Sequence, residues 1–223
     1  MSTWSQVFLQ ESNSTINQLL SLFHDYSLAL IINILVFVTG ISISMMSNKL
    51  ISDSIIPTLV ETIWTIIPIF ILLALVVPSL QILYFMEESN PYLTIKVMGH
   101  QWYWEYNLAD LDISFEAFMY KEEELYMDEY RLLQTDSPLV LPMMKNIRVL
   151  ITASDVLHCW AVPSLGVKAD AVPGRLNQVY FNAVRPSIMY GQCSEICGEQ
   201  HSFMPIEIET ISNKKFLEWC SEY

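Results

Sequence analysis

The sequence predicts a membrane-anchored all-β protein, in which a hairpin of two transmembrane helices precedes a β-sandwich or barrel. Two stretches contain no Asp, Glu, Lys or Arg: 23 residues from Tyr26 to Asn48 and 25 residues from Thr62 to Met86. A helix crosses the hydrocarbon of a bilayer with about 20 apolar residues, so both stretches are long enough to span it. After them the sequence changes to short β-type runs separated by turn signals, which is typical of a sandwich or barrel.

Buried helices of a large soluble core are the alternative interpretation of the two stretches, but such helices seldom exceed about 20 residues without a charge. Pro68 and Pro78 lie inside the second stretch, where each would cost an isolated soluble helix about 3 kcal/mol. Membrane helices tolerate proline better, because neighbouring helices satisfy the freed carbonyl groups. We therefore expect spans at about 26–48 and 62–86.

The predicted topology depends on Lys49, the first basic residue, which lies between the spans. The positive-inside rule places this loop on the side of synthesis and both termini on the opposite side. The first residues show no basic n-region, cleavage site or Arg-rich presequence, so we expect no signal or transit peptide. The chain is then expected to be made in the compartment where it works.

The predicted domains are 1–90, which holds the N-terminal segment and the hairpin, and 91–223, which holds the β-domain. In the first domain, the apolar residues between Ile16 and Phe23 have the spacing of a short interfacial helix. A last helix is predicted at Asn213–Glu222. The predicted strands are Tyr92–Met98, Trp102–Tyr106, Leu139–Leu141, Ile147–Ala153, Gln178–Val184 and Pro205–Ile211.

The part of the chain after the second span is acidic. Residues 87–223 hold 20 of the 24 acidic residues and 10 of the 11 basic ones, a net charge of −10. Such a surface repels nucleic acid, and it would speed the encounter with a cationic partner at a rate that falls as salt rises. An acidic surface that serves only solubility is the alternative interpretation.

The stretch from Tyr190 to Pro205 contains the residues that suggest metal binding. It gathers two thiols, an imidazole and a thioether within twelve residues: Cys193, Cys197, His201 and Met204. Thiolates and thioethers select Cu(I) or zinc, imidazole suits both, and a weak axial methionine is typical of copper electron-transfer sites. His158 follows the predicted strand Ile147–Ala153, so a sandwich could bring it beside this loop. The two cysteines could then bridge a pair of coppers.

Two other interpretations of these residues stay open. A structural zinc held by Cys193, Cys197, His201 and His158 fits the donor count, although zinc does not require a thioether and the usual cysteine spacing is shorter. A disulfide between the two cysteines would leave the histidines and Met204 without a purpose. A c-type haem is excluded, because it requires a C-x-x-C-H sequence that the chain lacks.

With these motifs in place, the whole chain resembles the cytochrome c oxidase subunit II family. The cysteine stretch is similar to the copper A loop of that family. The other motifs that match in family order are Glu61-Thr-Ile-Trp64, Gly99-His-Gln-Trp102-Tyr-Trp104-Glu-Tyr106, Asp155-Val-Leu-His158, Trp160-Ala-Val-Pro163-Ser-Leu-Gly166 and Pro173-Gly-Arg175-Leu-Asn177.

The resemblance implies a cupredoxin-like sandwich with a dinuclear copper A centre that accepts electrons from cytochrome c. The Glu195 carboxylate would also reach a magnesium ion at the contact with subunit I, and electrons would enter at Trp102. An aromatic core or interfacial belt is the alternative for the aromatic residues around Trp102. The implied copper ligands are the side chains of His158, Cys193, Cys197, His201 and Met204 and the main-chain carbonyl of Glu195.

The resemblance also implies roles at the surface. Glu61 matches a position at the mouth of a proton path into subunit I, although a carboxylate at a helix start is favoured by the helix dipole alone. The acidic residues that match the docking face for cytochrome c are Asp112, Glu116, Asp136 and Asp155. Cys159, Cys220 and the acidic loop Tyr120–Glu129 depart from the family pattern, and no role is predicted for them.

By this resemblance the chain is expected to be the first electron acceptor of an oxidase that reduces oxygen to water and pumps protons. It would act with subunits I and III and further subunits in the lipid of the mitochondrial inner membrane, and would not be active alone. Both termini and the copper domain would face the intermembrane space, and the inter-helix loop the matrix.

Three other functions are alternatives to this one: a quinol oxidase subunit, a copper chaperone and nitrous oxide reductase. The first lacks an intact copper loop, the second has no use for the aromatic cluster, and the third requires a large propeller.

Overall fold

The computed structural model describes residues 4–50, 58–87, 90–127 and 129–222. The chain divides into two compact units. One consists of Met1–Gln18 together with Phe85–Tyr223, and the other of Leu19–Tyr84. Residues 51–57 of the predicted inter-helix loop lie outside the described residues.

Two long helices account for both predicted spans. Helix α1 covers Thr15–Ser47 and helix α2 covers Thr58–Met86, and among the described residues these two are long and apolar enough to cross a membrane. Helix α1 begins earlier than the predicted span, so the interfacial helix expected near Ile16 is its first part. Ser14 explains the start, because its Oγ accepts a hydrogen bond of 2.9 Å from the Asn17 N–H and so caps the helix.

Several polar side chains within the spans donate hydrogen bonds to their own helix. Asn33 donates its side-chain amide to the Ala29 carbonyl at 2.8 Å, and Ser42 donates its hydroxyl to the Val38 carbonyl at 2.9 Å. In hydrocarbon these groups have no water to bond, so the carbonyl four residues back is the nearest acceptor. Each of these bonds therefore lowers the cost of carrying a polar side chain within a span.

The β-domain consists of ten strands among the residues described from 90 onward. They are β1 Leu93–His100, β2 Tyr103–Leu108, β3 Ile113–Ala117, β4 Leu139–Pro142, β5 Asn146–Ala153, β6 His158–Val162, β7 Val167–Ala171, β8 Asn177–Asn182, β9 Ser187–Gln192 and β10 Pro205–Ile211. They form a five-stranded sheet in the order β3-β2-β1-β5-β8, a three-stranded sheet in the order β4-β10-β9, and the pair β6-β7. Helix α3, Asn213–Glu222, matches the predicted last helix.

Strand pairing within the five-stranded sheet is mixed. Strand β1 pairs antiparallel with β2 and parallel with β5, and β5 pairs antiparallel with β8. Strand β1 alternates, so that Leu93, Ile95 and Val97 are buried while the residues between them are less so. Side chains of both larger sheets join one hydrophobic core that includes Trp104 and Trp160. Each large apolar side chain removed from water contributes about 1.5–3 kcal/mol.

All six predicted strands are present, with ends that differ by at most two residues. Strands β3, β6, β7 and β9 were not predicted. Strand β6 is buried at all five positions, so it lacks the alternation that marks a half-exposed strand. Strand β9 contains Gly191, and glycine weakens a strand pattern in sequence.

The N-terminal segment belongs to the same compact unit as the β-domain. Asn13 donates its main-chain N–H to the Ser164 carbonyl at 2.8 Å, and its own carbonyl accepts a hydrogen bond from the Val184 N–H at 3.0 Å. Its side-chain Oδ1 accepts a hydrogen bond from the Arg185 N–H at 3.0 Å. These bonds place the start of α1 beside the turn that follows strand β6.

Candidate metal centre

Three potential metal ligands converge at one end of the β-domain. His158 is the first residue of β6, Cys193 follows β9, and Cys197 lies in the loop before β10. All three are buried, and their ligand atoms lie within 4.8 Å of one another. A histidine from one strand end therefore meets a cysteine loop from another, as the sequence predicted.

The other predicted ligands surround Cys197 and Cys193. The Cys197 Sγ lies 3.5 Å from the Met204 Sδ and 3.4 Å from the His201 Nδ1. The Cys193 Sγ lies 3.3 Å from the Glu195 carbonyl oxygen and 4.0 Å from the His158 Nδ1. The structure thus brings all six predicted ligand groups into one cluster, and Met204 is only 1% exposed.

The ring of His158 is held on several sides. Its Nε2 donates to the Asp155 Oδ1 at 2.9 Å, and this leaves the Nδ1 lone pair directed toward the cysteines. The ring of Trp104 meets it edge-on, with the ring centroids 5.9 Å apart. The main chain of Gly99 packs against it, since a Cβ built there would lie 2.9 Å from the His158 Cδ2. Sequence reasoning had assigned Asp155 only to docking, and had no role for Gly99 in the site.

The electrostatics of the two thiols favour a bound cation. Burial raises the pKa of the Cys193 thiol, but its contacts with the His158 ring, nearby backbone groups and His201 outweigh burial and lower this pKa to about 7. Burial raises the pKa of Cys197 to about 12, and the negative charge of Cys193 contributes. Two thiolates therefore do not form together in this pocket unless a positive charge compensates them. A metal ion supplies that charge, so the donor set fits a soft metal.

The geometry also bears on the two alternatives that the sequence left open, a disulfide and a structural zinc. The two Sγ atoms lie 4.0 Å apart, whereas a disulfide joins sulfurs at about 2.05 Å. Both cysteines are free thiols here. A four-coordinate zinc could use the histidines and thiols, but it would leave the buried Met204 thioether unused.

Trp102 packs against the cysteine loop and is half-buried. A Cβ on Gly198 would lie 3.1 Å from its Cζ2, so the glycine permits the close approach. The indole Nε1 is buried and has no hydrogen-bond partner among the described residues. The neighbouring Gln101 donates its side-chain amide to the Cys197 carbonyl at 2.8 Å.

The predicted surface residues occupy three different settings. Asp112, Glu116 and Asp136 are exposed, and the Asp136 Oδ1 accepts a hydrogen bond from the Phe118 N–H at 2.8 Å. The Asp155 side chain is 31% exposed and bonds to the site itself. Glu61 is exposed in the first turn of α2, in the other compact unit.

Cys159 and Cys220 lie outside the cluster of ligand atoms. Cys159 is 1% exposed. Burial, with a contribution from Asp170, raises its pKa to about 12. Cys220 is a half-buried thiol of α3. A thiol with a raised pKa is a poor nucleophile, so Cys159 is a structural residue of the core.

A β-sandwich with buried thiol, imidazole and thioether groups at one end, joined to two apolar helices, defines a membrane-anchored metalloprotein. The family model for the periplasmic domain of cytochrome c oxidase subunit II matches residues 93–211, and the model for its transmembrane domain matches residues 2–82. The chain therefore belongs to the cytochrome c oxidase subunit II family, and it is one subunit of an oxidase complex.

Two insect relatives are similar in sequence over nearly the whole chain, and a solved bacterial structure is similar over the β-domain. Cytochrome c oxidase subunit 2 of Oncopeltus fasciatus is 49% identical over 225 residues, which cover 100% of this chain and 98% of the relative. The same subunit of Periplaneta americana is 50% identical over 222 residues, which cover 98% of this chain and 97% of the relative. The crystal structure of the periplasmic domain of subunit II of cytochrome oxidase from Bradyrhizobium japonicum has a TM-score of 0.56 and 43% identity, over 60% of this chain and 94% of that one. The predicted fold, a helical hairpin followed by a cupredoxin-like sandwich, is confirmed.

Proposed function

We propose that the chain is the electron-accepting subunit of a cytochrome c oxidase and holds a dinuclear copper A centre. The observation that carries the proposal is the convergence of the two Sγ atoms with the His158 and His201 imidazoles and the Met204 thioether. The ligands would be His158, Cys193, Cys197, His201 and Met204 together with the carbonyl oxygen of Glu195.

The buried thioether favours copper over zinc. Met204 lies 3.5 Å from a thiol sulfur and is fixed in place, because its main-chain carbonyl accepts a hydrogen bond of 3.2 Å from the Trp104 indole. A weak sulfur donor suits a copper electron-transfer site, whereas structural zinc is satisfied by four thiolate and imidazole ligands. When bound, a copper pair would supply a one-electron acceptor that shares its electron between two metals.

The residues of this chain would provide a rigid and dry setting for that transfer. His158 is fully buried, and Cys193, Cys197 and Met204 are at most 7% exposed. Side chains held by packing and hydrogen bonds move little when the charge of the site changes, so little reorganisation is needed. Trp102 would receive the electron at the surface, and its half-buried ring on the cysteine loop supports this role.

The donor is proposed to be cytochrome c, a cationic partner. The net charge of −10 on residues 87–223 supports this choice, and the exposed Asp112, Glu116 and Asp136 would contribute to the docking face together with Asp155. Opposite charges accelerate association through long-range attraction. The docking face would then speed the encounter without a large buried contact.

The remaining sequence-based assignments form part of the same proposal. The Glu195 carboxylate would bind a magnesium ion shared with subunit I, and Glu61 would lie at the mouth of a proton path. The chain would work with subunits I and III and further subunits in the lipid of the mitochondrial inner membrane. The similarity to insect relatives supports the mitochondrial assignment. The domain division at residue 90 and the topology, with both termini and the copper domain in the intermembrane space, are proposed as the sequence predicted them.

An anaerobic transfer experiment tests the proposal. The full chain in detergent is loaded with copper, mixed with reduced cytochrome c, and followed by the loss of the reduced haem absorbance. We expect about one haem oxidised for each copper-loaded chain, and none with a zinc-loaded control. Failure of the copper-loaded chain to oxidise the haem, or equal behaviour of the two samples, would refute the proposed function.

A further inference from the structure

We propose that Asp155 is a positioning residue of the metal centre, which fixes the tautomer and ring orientation of His158, and that Gln101 extends the same hydrogen-bonded frame to Cys197. This inference rests on the proposed copper site. It gives Asp155 a task within this chain in addition to any contact with a partner.

The Asp155 carboxylate is already engaged by three donors. Its Oδ1 accepts from the His158 Nε2 at 2.9 Å and from the Val156 N–H at 2.6 Å, and its Oδ2 accepts from the Gln101 N–H at 2.7 Å. Although 31% of the side chain is exposed, both carboxylate oxygens therefore bond to groups of the protein itself. A surface acid that served only to attract a partner would need none of these bonds.

The bond to His158 decides which ring nitrogen is available to a metal. An imidazole that donates from Nε2 keeps its lone pair on Nδ1, and the Nδ1 faces the Cys193 Sγ at 4.0 Å. Metal-bound histidines usually donate their other ring nitrogen to a carboxylate or carbonyl, which orients the ring and raises its basicity. Asp155 occupies that place for His158.

Gln101 joins this carboxylate to the cysteine loop. Its main-chain N–H bonds to the Asp155 Oδ2, and its side-chain amide donates to the Cys197 carbonyl at 2.8 Å. A single residue therefore links a histidine ligand, through Asp155, with a cysteine ligand. Because Trp102 follows Gln101 directly, the same frame holds the proposed electron-accepting indole against the loop.

Packing supports the ring from the other sides. A Cβ at Gly99 would lie 3.0 Å from the His158 Cγ, and the Trp104 ring meets the imidazole at an interplanar angle of 64°. Packing restricts the plane of the ring, but it does not choose between the two tautomers. The choice of tautomer therefore falls to the Asp155 carboxylate.

The test compares Asp155→Ala, Asp155→Asn and the matched surface control Glu116→Gln in the full chain in detergent. Copper affinity is measured by competition with a chelator, and the copper centre by electron paramagnetic resonance and redox potential. We expect Asp155→Ala to lower the copper affinity by about 10–100-fold and to change the spectrum and the potential. Asp155→Asn keeps an acceptor for Nε2, so it should show a smaller change, and Glu116→Gln should match the wild type in copper affinity, copper spectrum and redox potential.

A copper-independent measurement accompanies these. In the metal-free chain labelled with nitrogen-15 histidine, the ring shifts of His158 report the tautomer. The wild type should hold its proton on Nε2, and Asp155→Ala should show a mixture of tautomers. Gln101→Ala keeps the main-chain bond to Asp155, so it should leave the His158 tautomer unchanged while altering the copper spectrum.

The outcomes separate this inference from the proposed function. If Asp155→Ala and Asp155→Asn leave the copper affinity, the spectrum and the tautomer as in the wild type, the positioning role is refuted. If only the salt-dependent reaction with cytochrome c changes, Asp155 serves docking alone and the role is equally refuted. A wild-type chain that binds no copper would refute the proposed function itself, and that failure is visible without any variant.

Discussion

The main chain of Gly99 lies against the imidazole of His158, so closely that a Cβ there would come within 2.9 Å of the ring Cδ2. We predict that Gly99→Ala pushes this ring away from Cys193. Overpacking of this kind costs about 1–3 kcal/mol, and the displaced Nδ1 would bind metal more weakly. The checks are the thermal unfolding of the metal-free chain and its copper affinity. Gly40→Ala, where no atom lies within 4 Å of the added Cβ, is the control, and equal behaviour of the two variants would contradict the account.

Met204→Leu is predicted to keep the copper and raise its reduction potential. Leucine and methionine differ little in volume, so the fold should lose less than about 1.5 kcal/mol. A weak axial donor tunes a copper site more than it holds the metal, and its loss removes electron density that stabilises the oxidised form. Potentiometric titration of the copper-loaded chain measures the change. Met189→Leu, which alters a buried methionine bonded to Asn13, should leave the potential unchanged.

Cys193→Ser is predicted to destroy the proposed dinuclear copper site. The buried thiol lies 4.0 Å from Cys197 Sγ, and a serine hydroxyl is neither soft nor ionised at neutral pH. Metal analysis after copper loading should show loss of at least one copper for each chain. Cys220→Ser removes a thiol of α3 that lies outside the cluster, and its copper content should equal that of the wild type. An unchanged copper spectrum in Cys193→Ser would contradict the ligand assignment.

Reaction with cytochrome c is predicted to slow steeply as ionic strength rises. Salt at about 0.15 M screens exposed charges over about 8 Å, and the proposed docking face includes the exposed Asp112, Glu116 and Asp136. Glu116→Gln should lower the rate at low salt and have little effect at high salt. Stopped-flow measurements over a salt series check this, with an uncharged reductant as the control. A rate that does not vary with salt would count against electrostatic docking.

Glu207 gives the β-domain a pH-dependent stability that does not involve the metal ligands. Its carboxylate is 4% exposed and accepts hydrogen bonds from the Thr135 N–H at 2.8 Å and the Gln134 side-chain amide at 2.9 Å. Burial, with the charges of Glu129 and Glu209, raises its pKa above the ordinary 4.5, and this outweighs the hydrogen bonds from Thr135.

A raised pKa means that the folded chain holds this proton more tightly than the unfolded chain does. The contribution to stability is fully present below pH 4.5 and is lost as the pH rises through the folded pKa. Glu207→Gln does not titrate, so the stability of the wild type relative to the variant should fall over that range. Melting temperatures of both proteins at a series of pH values test this. A difference that stays constant from about pH 4 to pH 8 would contradict it.

The elements that are long or strongly patterned could be predicted from the sequence. The spans were recognisable because stretches of 23 and 25 residues without a charge are rare outside membrane helices. Strand β5 was recognisable as a run of β-type residues between turn signals, and in the structure buried and less buried residues alternate along it. Strand β6 escaped prediction because its residues are buried on both faces, so the period of two disappears.

Some features of the candidate site could likewise be predicted from the sequence, and others could not. The donors of the cysteine loop lie close together in sequence, so their chemistry could be predicted from their spacing and residue types. The contact between Gly99 and His158 joins residues 59 positions apart and depends on the approach of two strands. Likewise, the sequence alone does not distinguish Asp155 from an ordinary surface carboxylate. Its hydrogen bond to the His158 ring is visible only in the folded chain. No local pattern encodes these contacts.

Electron paramagnetic resonance of the copper-loaded full chain in detergent shows whether the donors around Cys193 and Cys197 bind two coppers that share one unpaired electron. We expect a hyperfine pattern from two equivalent copper nuclei, with two coppers for each chain by metal analysis. The pattern of a single copper nucleus, or a chain that retains one zinc in preference to copper, would refute the dinuclear assignment.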